Sequence, residues 1–333
     1  MKLPLLFAIA AVAALHIGAN SAYAQAHMNP VIDVLAAKKP IFGLYAPANR
    51  RGGRGGPPPP ADSIKSPAQL ATVALTNKTA DFIFDGSMEG NFDAAYPPFA
   101  DYMKGLVAAG WTSNKPSLHL THPMFVKTHE LAEDYPKAAE RIAKQLNMGV
   151  SNITFVGVES AEEVQKGLAM MRFKSAGGTR PDYVGDAPKM WGLSEAEYKK
   201  KADVWPLNPK GELVNFTIVE SKVGLAHVRE IAAVKGIGTL FPGAGTLRQV
   251  FSLDSTGKRG PLDEKGWEAA IQQVLAACKE FNVSCGYPAT ETDIEMRMKQ
   301  GFSVFIINWG DAGFRAVDIG RKIAGRPATN TTN

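Results

Sequence analysis

The sequence predicts an α/β chain folded as a single-domain (β/α)8 TIM barrel. Three features carry that expectation. Eight short apolar runs recur along the chain, and each is followed by a stretch of helical periodicity. Within the runs the apolar residues are continuous rather than alternating, which suits strands covered on both faces. Strand–helix alternation of this kind builds a parallel sheet, either closed as a barrel or open and doubly wound. No G-x-G-x-x-G follows the first run, which counts against a dinucleotide-binding open sheet.

From the N-terminus, Lys2 precedes the apolar run LPLLFAIAAVAAL (3–15), and SAYAQA follows with Ala22 and Ala24 in an A-x-A arrangement. A charged start, an apolar stretch and small residues before a cleavage point read as a secretory signal peptide. The run is shorter than the ~20 apolar residues that cross a bilayer. The expected product is an exported chain, periplasmic or secreted, cut near Ala24. The barrel is expected over 29–325, with a flexible tail over 326–333.

The predicted strands are PIFGLYA (40–46), DFIFDG (81–86), PSLHLTH (116–122) and NITFVGV (152–158) in the first half. NFTIVE (215–220), GTLFPGA (238–244), VSCGYPA (283–289) and SVFIINWG (303–310) follow in the second. Among the helices, AEEVQKGLAMMRF (161–173) and GWEAAIQQVLAACKEF (266–281) place apolar residues at i, i+3, i+4 and i+7. Ser160, three residues before Glu163, is a capping-box signature for the first of them.

Two segments break the rhythm. NRRGGRGGPPPPADS (49–63) follows the first strand and carries Arg50, Arg51 and Arg54. A longer excursion, 174–213, separates strands four and five. Both are expected on the catalytic face, as lids or pocket walls, with Tyr183, Trp191, Trp205 and Trp309 as candidate wall aromatics. The first, mobile at its glycines and stiffened by four prolines, reads as a lid that draws anionic substrates inward. Its sharper reading, an RGG-type nucleic-acid segment, has only two short units and a mild net charge of +5 behind it, so no nucleic-acid partner is expected. Cys278 and Cys285 are expected as buried thiols, although export would permit one bond between them.

Four segments in order, NPVIDVLAAKKPIFGLY (29–45), VESAEEVQKGLAMMRF (158–173), VESKVGLAHVREIAAVKGIGTLFPGAG (219–245) and AAIQQVLAACKEFN (269–282), resemble the HpcH/HpaI aldolase and citrate lyase family. The resemblance implies a barrel, usually oligomeric. The implied chemistry makes or breaks a carbon–carbon bond next to a 2-keto acid with a divalent metal, Mg or Mn. In that chemistry an enolate develops, a cation stabilises it, and a base takes the hydroxyl proton. The family supplies a metal carboxylate at the end of strand five, a second after strand six, a histidine base after strand two and an arginine at strand three.

Carried over by position, Glu220 takes the strand-five metal site. The second carboxylate falls on Thr246, or on Gly245 with a one-residue slip. The histidine falls on Glu89 or Gly90, and His119 stands where the arginine is expected. Local substitutes are Asp85 as a further metal carboxylate, Glu89 as ligand or base, and His119, His122 or His129 as base or ligand. Arg172 and Arg180 are candidates for holding a carboxylate. The resulting expectation is an exported carbon–carbon lyase acting on a small anionic 2-keto or hydroxy acid, homo-oligomeric and not membrane-bound. The rival is a non-catalytic extracytoplasmic binding protein on a degenerate barrel.

Overall fold

Eight parallel strands close on themselves: β1 (Ile41–Tyr45), β2 (Phe82–Asp85), β3 (Met124–Lys127), β4 (Asn152–Phe155), β5 (Leu213–Val219), β6 (Thr239–Pro242), β7 (Ser284–Tyr287) and β8 (Val304–Ile307). Each pairs in parallel with its chain neighbour, and β8 returns to β1 through the register Ile41–Val304 to Leu44–Ile307. The expected TIM barrel is therefore the fold. This computed structural model describes residues 27–49, 60–254 and 256–327. The signal segment, the arginines of the 49–63 segment and residues 328–333 lie outside the described residues.

Alternation along each strand decides what fills the barrel. Phe82, Phe125, Phe216 and Phe241 point inward and pack ring against ring; the Phe82 and Phe125 centroids are 4.5 Å apart. Each such ring contributes roughly 1.5–3 kcal/mol by leaving water. Gly43 makes the room: a Cβ there would lie 2.1 Å from the Phe82 ring. The opposite strand faces, with Phe42, Ile83, Val126, Ile153 and Phe155, pack beneath the helices.

Strand three differs from expectation. Residues 116–122 are not a barrel strand; His119–Leu120 pairs antiparallel with Thr112–Ser113 in a small separate ribbon. The barrel position belongs to Met124–Lys127. The continuous apolar run MFV fits a strand covered on both faces, whereas SLHLTH alternates and suits a half-exposed ribbon.

The two insertions lie at opposite ends. Segment 49–63 leaves the C-terminal end of β1, on the mouth side, and its ends are clasped: Asn49 Nδ2 donates to the Lys65 carbonyl at 2.7 Å, and Lys65 N–H donates to Asn49 Oδ1 at 2.8 Å. Segment 174–213 instead follows a helix and precedes a strand, so it covers the N-terminal end and is no wall of the mouth. It contains the helices Ala187–Trp191 and Glu195–Lys201, and Val204–Trp205 extends the sheet beside the first residues of β5. Trp191 Nε1 donates to Gly149 O at 2.6 Å and Tyr198 Oη to Leu146 O at 3.1 Å, anchoring the insertion to the turn before β4.

Helix Ala161–Met171 begins as its sequence predicts, with Ser160 Oγ accepting from Glu163 N–H. The Glu163 carboxylate reaches back to Glu159 N–H rather than to Ser160. The cysteines also depart from expectation: Cys278, near the end of helix Glu264–Glu280, is bonded to Cys285 in β7, with Cα atoms 5.6 Å apart. A tight helix-to-strand turn brings the two residues within bonding reach.

Candidate active site at the barrel mouth

At the C-terminal ends of the strands is a pocket of about 210 Å³, floored by Tyr45, Phe84 and Ile306 and walled by Lys127, Glu220 and Thr246. Tyr45 and Phe84 meet edge to face, with centroids 5.2 Å apart. A larger hollow of about 480 Å³ at the other end has Lys38 and Lys235 as its ionisable lining and no acid or histidine. Of these two hollows, the one at the mouth carries the carboxylate.

Glu220 follows the last residue of β5 and shares the inward face of Phe216 and Ile218. One of its oxygens, Oε1, accepts from Gly157 N–H at 3.0 Å. Gly157, just past β4, has φ +63°, and a Cβ there would lie 2.8 Å from the Glu130 carboxylate. A residue without a side chain is what lets that N–H turn toward Glu220. Burial raises the Glu130 pKa, and the charges of Glu133 and Glu220 add to the effect.

Lys127, the last residue of β3, points inward by the same alternation that buries Phe125. Its ammonium donates to both oxygens of Glu89 at 2.9 Å. Burial pushes the Lys127 pKa down, but Glu89, Tyr45 and Glu220 together outweigh it and hold the pKa above the usual lysine value. His129 braces the arrangement, Nδ1 lying 2.7 Å from Glu89 O and Nε2 2.6 Å from Glu133 Oε2. Lys127 was not among the sequence candidates. It fills, as a cation, the strand-three position where the family resemblance expects an arginine.

The remaining candidates separate into those at the mouth and those elsewhere. Glu220, Glu89 and Thr246 are at the mouth, with Thr246 exposed in helix Ala244–Val250. Asp85 ends β2 on the outward face, opposite in parity to Phe84, so it does not line the pocket. Its carboxylate accepts from Ser87 N–H and Oγ, and burial raises its pKa against those bonds. His119 is in the ribbon, with Nδ1 2.7 Å from Ser117 O. His122 precedes β3 at the opposite end of the barrel, Nε2 2.7 Å from Asn77 O, and is buried. Arg180 is buried within the N-terminal insertion, its guanidinium 3.6 Å from the Phe173 ring centre. Arg172 forms a two-point pair with Asp203 at 2.6 and 3.0 Å at that same end. Neither arginine nor either of these histidines reaches the mouth.

The donor set at the mouth does not fit a divalent cation. Such an ion takes several hard oxygen ligands, carboxylates foremost. Here Glu220 is the one carboxylate lining the pocket, the second ligand position is a neutral Thr246 hydroxyl, and the nearby Glu89 is engaged by the Lys127 ammonium that shares the wall. Among the described residues, no group of three or more His, Cys, Asp or Glu is gathered to hold a metal.

No protein-family profile matches the chain. A 176-residue stretch, 53% of this chain and 60% of the relative, is 23% identical to a hydroxypyruvate/pyruvate aldolase of Paraburkholderia phytofirmans. Another, 193 residues and 26% identical, matches a 5-keto-4-deoxy-D-glucarate aldolase of Salmonella paratyphi C over 53% of this chain and 63% of that protein. The matches thus span less than two thirds of these curated relatives. Among solved structures, an HpcH/HpaI aldolase/citrate lyase family protein from Burkholderia cenocepacia J2315 superimposes with a TM-score of 0.62 at 18% identity, over 89% of this chain and 96% of its own.

Proposed function

Because the resemblance is to the HpcH/HpaI aldolase/citrate lyase family in both sequence and fold, we propose that this protein is an aldolase-type carbon–carbon lyase. Its substrate is a small 2-keto acid bearing a hydroxyl, or a related hydroxy acid. The observation that carries the reading is the pairing, in one pocket of about 210 Å³, of an inward carboxylate, Glu220, with an inward ammonium, Lys127. An anionic keto acid needs a cationic anchor, and its hydroxyl needs a base within reach. The pocket size suits a molecule of a few carbons.

The test is a panel of hydroxylated 2-keto acids, assayed for release of pyruvate or its homologues through a coupled dehydrogenase. Glu220→Gln keeps the shape and removes the base, and should lower kcat at least about 100-fold with an unchanged melting temperature. Ligand binding without turnover across the whole panel would favour the rival binding protein, which the Thr246 substitution supports.

Three extensions belong to the same reading: export, homo-oligomerisation, and a lid role for segment 49–63. Replacing 50–60 with a short Gly-Ser linker should leave thermal stability within a few degrees and weaken substrate affinity, more so at low ionic strength. Unchanged affinity with a large loss of stability would make the segment structural.

A further inference from the structure

Resting on the lyase reading above, we propose that Lys127 is the electrophile of the reaction, in the place where the related chemistry uses a divalent cation. The argument begins with charge. Glu220 brings one negative charge to the pocket and Thr246 brings none, while Lys127, held by Glu89, already places an ammonium on the wall. A dication added beside Glu220 would find no second carboxylate lining the pocket, since Glu89 is already engaged by that ammonium. The ammonium itself answers the need for positive charge near a developing enolate.

Geometry then selects this lysine. Its stem rises from a barrel strand, so its position is set by the sheet rather than by a mobile loop. Glu89 holds two of its three N–H donors at 2.9 Å, which fixes the ammonium and leaves the third to donate into the pocket. The pair restrains the side chain at 17% exposure. The Lys127–Glu89 ion pair also speaks against imine formation, which needs a neutral amine. The role is hydrogen bonding and charge.

The step balances with these residues alone. Glu220 takes the proton from the substrate hydroxyl, at the oxygen not engaged by Gly157. The bond between the hydroxyl-bearing carbon and the carbon next to the keto group breaks. The hydroxyl carbon leaves as an aldehyde, and the electron pair passes into the keto acid to give an enolate. Lys127 donates a hydrogen bond to the enolate oxygen without losing its proton. Glu220 then returns its proton to the enolate carbon, giving the 2-keto acid and restoring both residues.

The experiment uses the whole protein dialysed against EDTA. Two readouts are taken, turnover of the substrates found in the panel and calorimetric binding of oxalate, a planar dianion shaped like the enolate of pyruvate. The proposal expects turnover and oxalate binding to persist in chelator and to gain less than twofold from added Mg or Mn. Lys127→Met should then lose both by about 100-fold or more, consistent with the removal of one electrostatic donor, while Lys127→Arg should recover part of each. Circular dichroism melts of both variants show whether a loss is one of folding, and the arginine variant keeps the comparison informative if the methionine variant is unstable. Turnover and oxalate binding that appear only when Mg or Mn is restored would overturn the proposal and leave the lyase reading standing. Absence of turnover on every substrate, with and without metal, would refute the lyase reading and the proposal with it.

Discussion

Lys127 and Glu89 form a symmetric ion pair across the barrel mouth, the ammonium 2.9 Å from each carboxylate oxygen, and so tie the end of β3 to the loop after β2. Because Glu89, Tyr45 and Glu220 outweigh burial and raise the lysine pKa in the folded state, the pair stabilises the fold below the unfolded pKa of about 10.4. That contribution is lost as pH rises through the folded value.

Glu89→Gln should therefore cost up to about 1 kcal/mol at pH 7.5, and not more, since the carboxylate is 39% exposed and water screens it. At pH 11, above the unfolded lysine value, the gap between the wild type and the variant should be smaller. Urea melts at the two pH values measure this. An equal deficit at both would mean that packing, not charge, holds the pair together.

His122 sets an opposite dependence at the other end of the barrel. Burial is the chief cause that lowers its pKa to about 4, against its hydrogen bond to Asn77. Between that value and the unfolded ~6.5 the unfolded chain binds the proton and the folded chain does not, so stability falls as pH drops through this window. The loss is roughly 3 kcal/mol at most. His122→Asn should flatten the melting profile between pH 4 and 6.5 without altering oxalate binding at pH 7.5. A catalytic role for His122 would show instead as lost binding or turnover.

The Cys278–Cys285 bond closes a short loop, with a sequence separation of 7. A loop of that size predicts about 2 kcal/mol of stabilisation. The Cys278→Ser/Cys285→Ser variant, or the wild type in reductant, should lose about that much in chemical denaturation, and reductant should then have no effect on the variant.

The Arg180 guanidinium is buried against Phe173 with the Tyr198 hydroxyl as its polar neighbour, and no carboxylate pairs with it among the described residues. Burial lowers its pKa, with Tyr198 and Asp203 acting against the shift. A buried charge held this way is costly, and apolar replacement of such groups is often neutral or stabilising by about 1–4 kcal/mol. Arg180→Met should accordingly raise or preserve the melting temperature and leave oxalate binding at the mouth untouched. A drop of several degrees would show that the cation–ring contact matters more than the desolvation.

Seven of the eight strands were legible because continuous apolar runs are an unambiguous demand for burial. The eighth was misplaced for a reason the same criterion exposes. PSLHLTH alternates over seven residues, while MFVK, only four residues and set off by Pro123, carries the shorter signal. That slip hid Lys127, whose inward direction follows only once β3 is in register. It also placed His119 and His122 at a mouth they do not reach.

The position of Glu220 follows from the apolar run that ends at it, since β5 delivers its next inward residue to the mouth, whereas its expected role as a metal ligand rests on the family resemblance. Asp85 does not fill its expected metal position because parity within β2, not proximity to its end, decides which side chain faces the pocket. Segment 174–213 belongs to the N-terminal end, not the expected catalytic face, because it follows a helix rather than a strand. The Glu89–Lys127 pair joins residues 38 positions apart, and no local pattern announces such a meeting.

The clasp between Asn49 and Lys65 has a consequence for engineering. Since the chain enters and leaves residues 50–64 at one hydrogen-bonded point, a foreign folded domain whose own termini lie close together can be grafted there without prying β1 from the helix Pro67–Ala74. A fluorescent domain spliced between Asn49 and Lys65 would be anchored at the C-terminal end of β1, and a change in its emission on adding a candidate ligand would report binding.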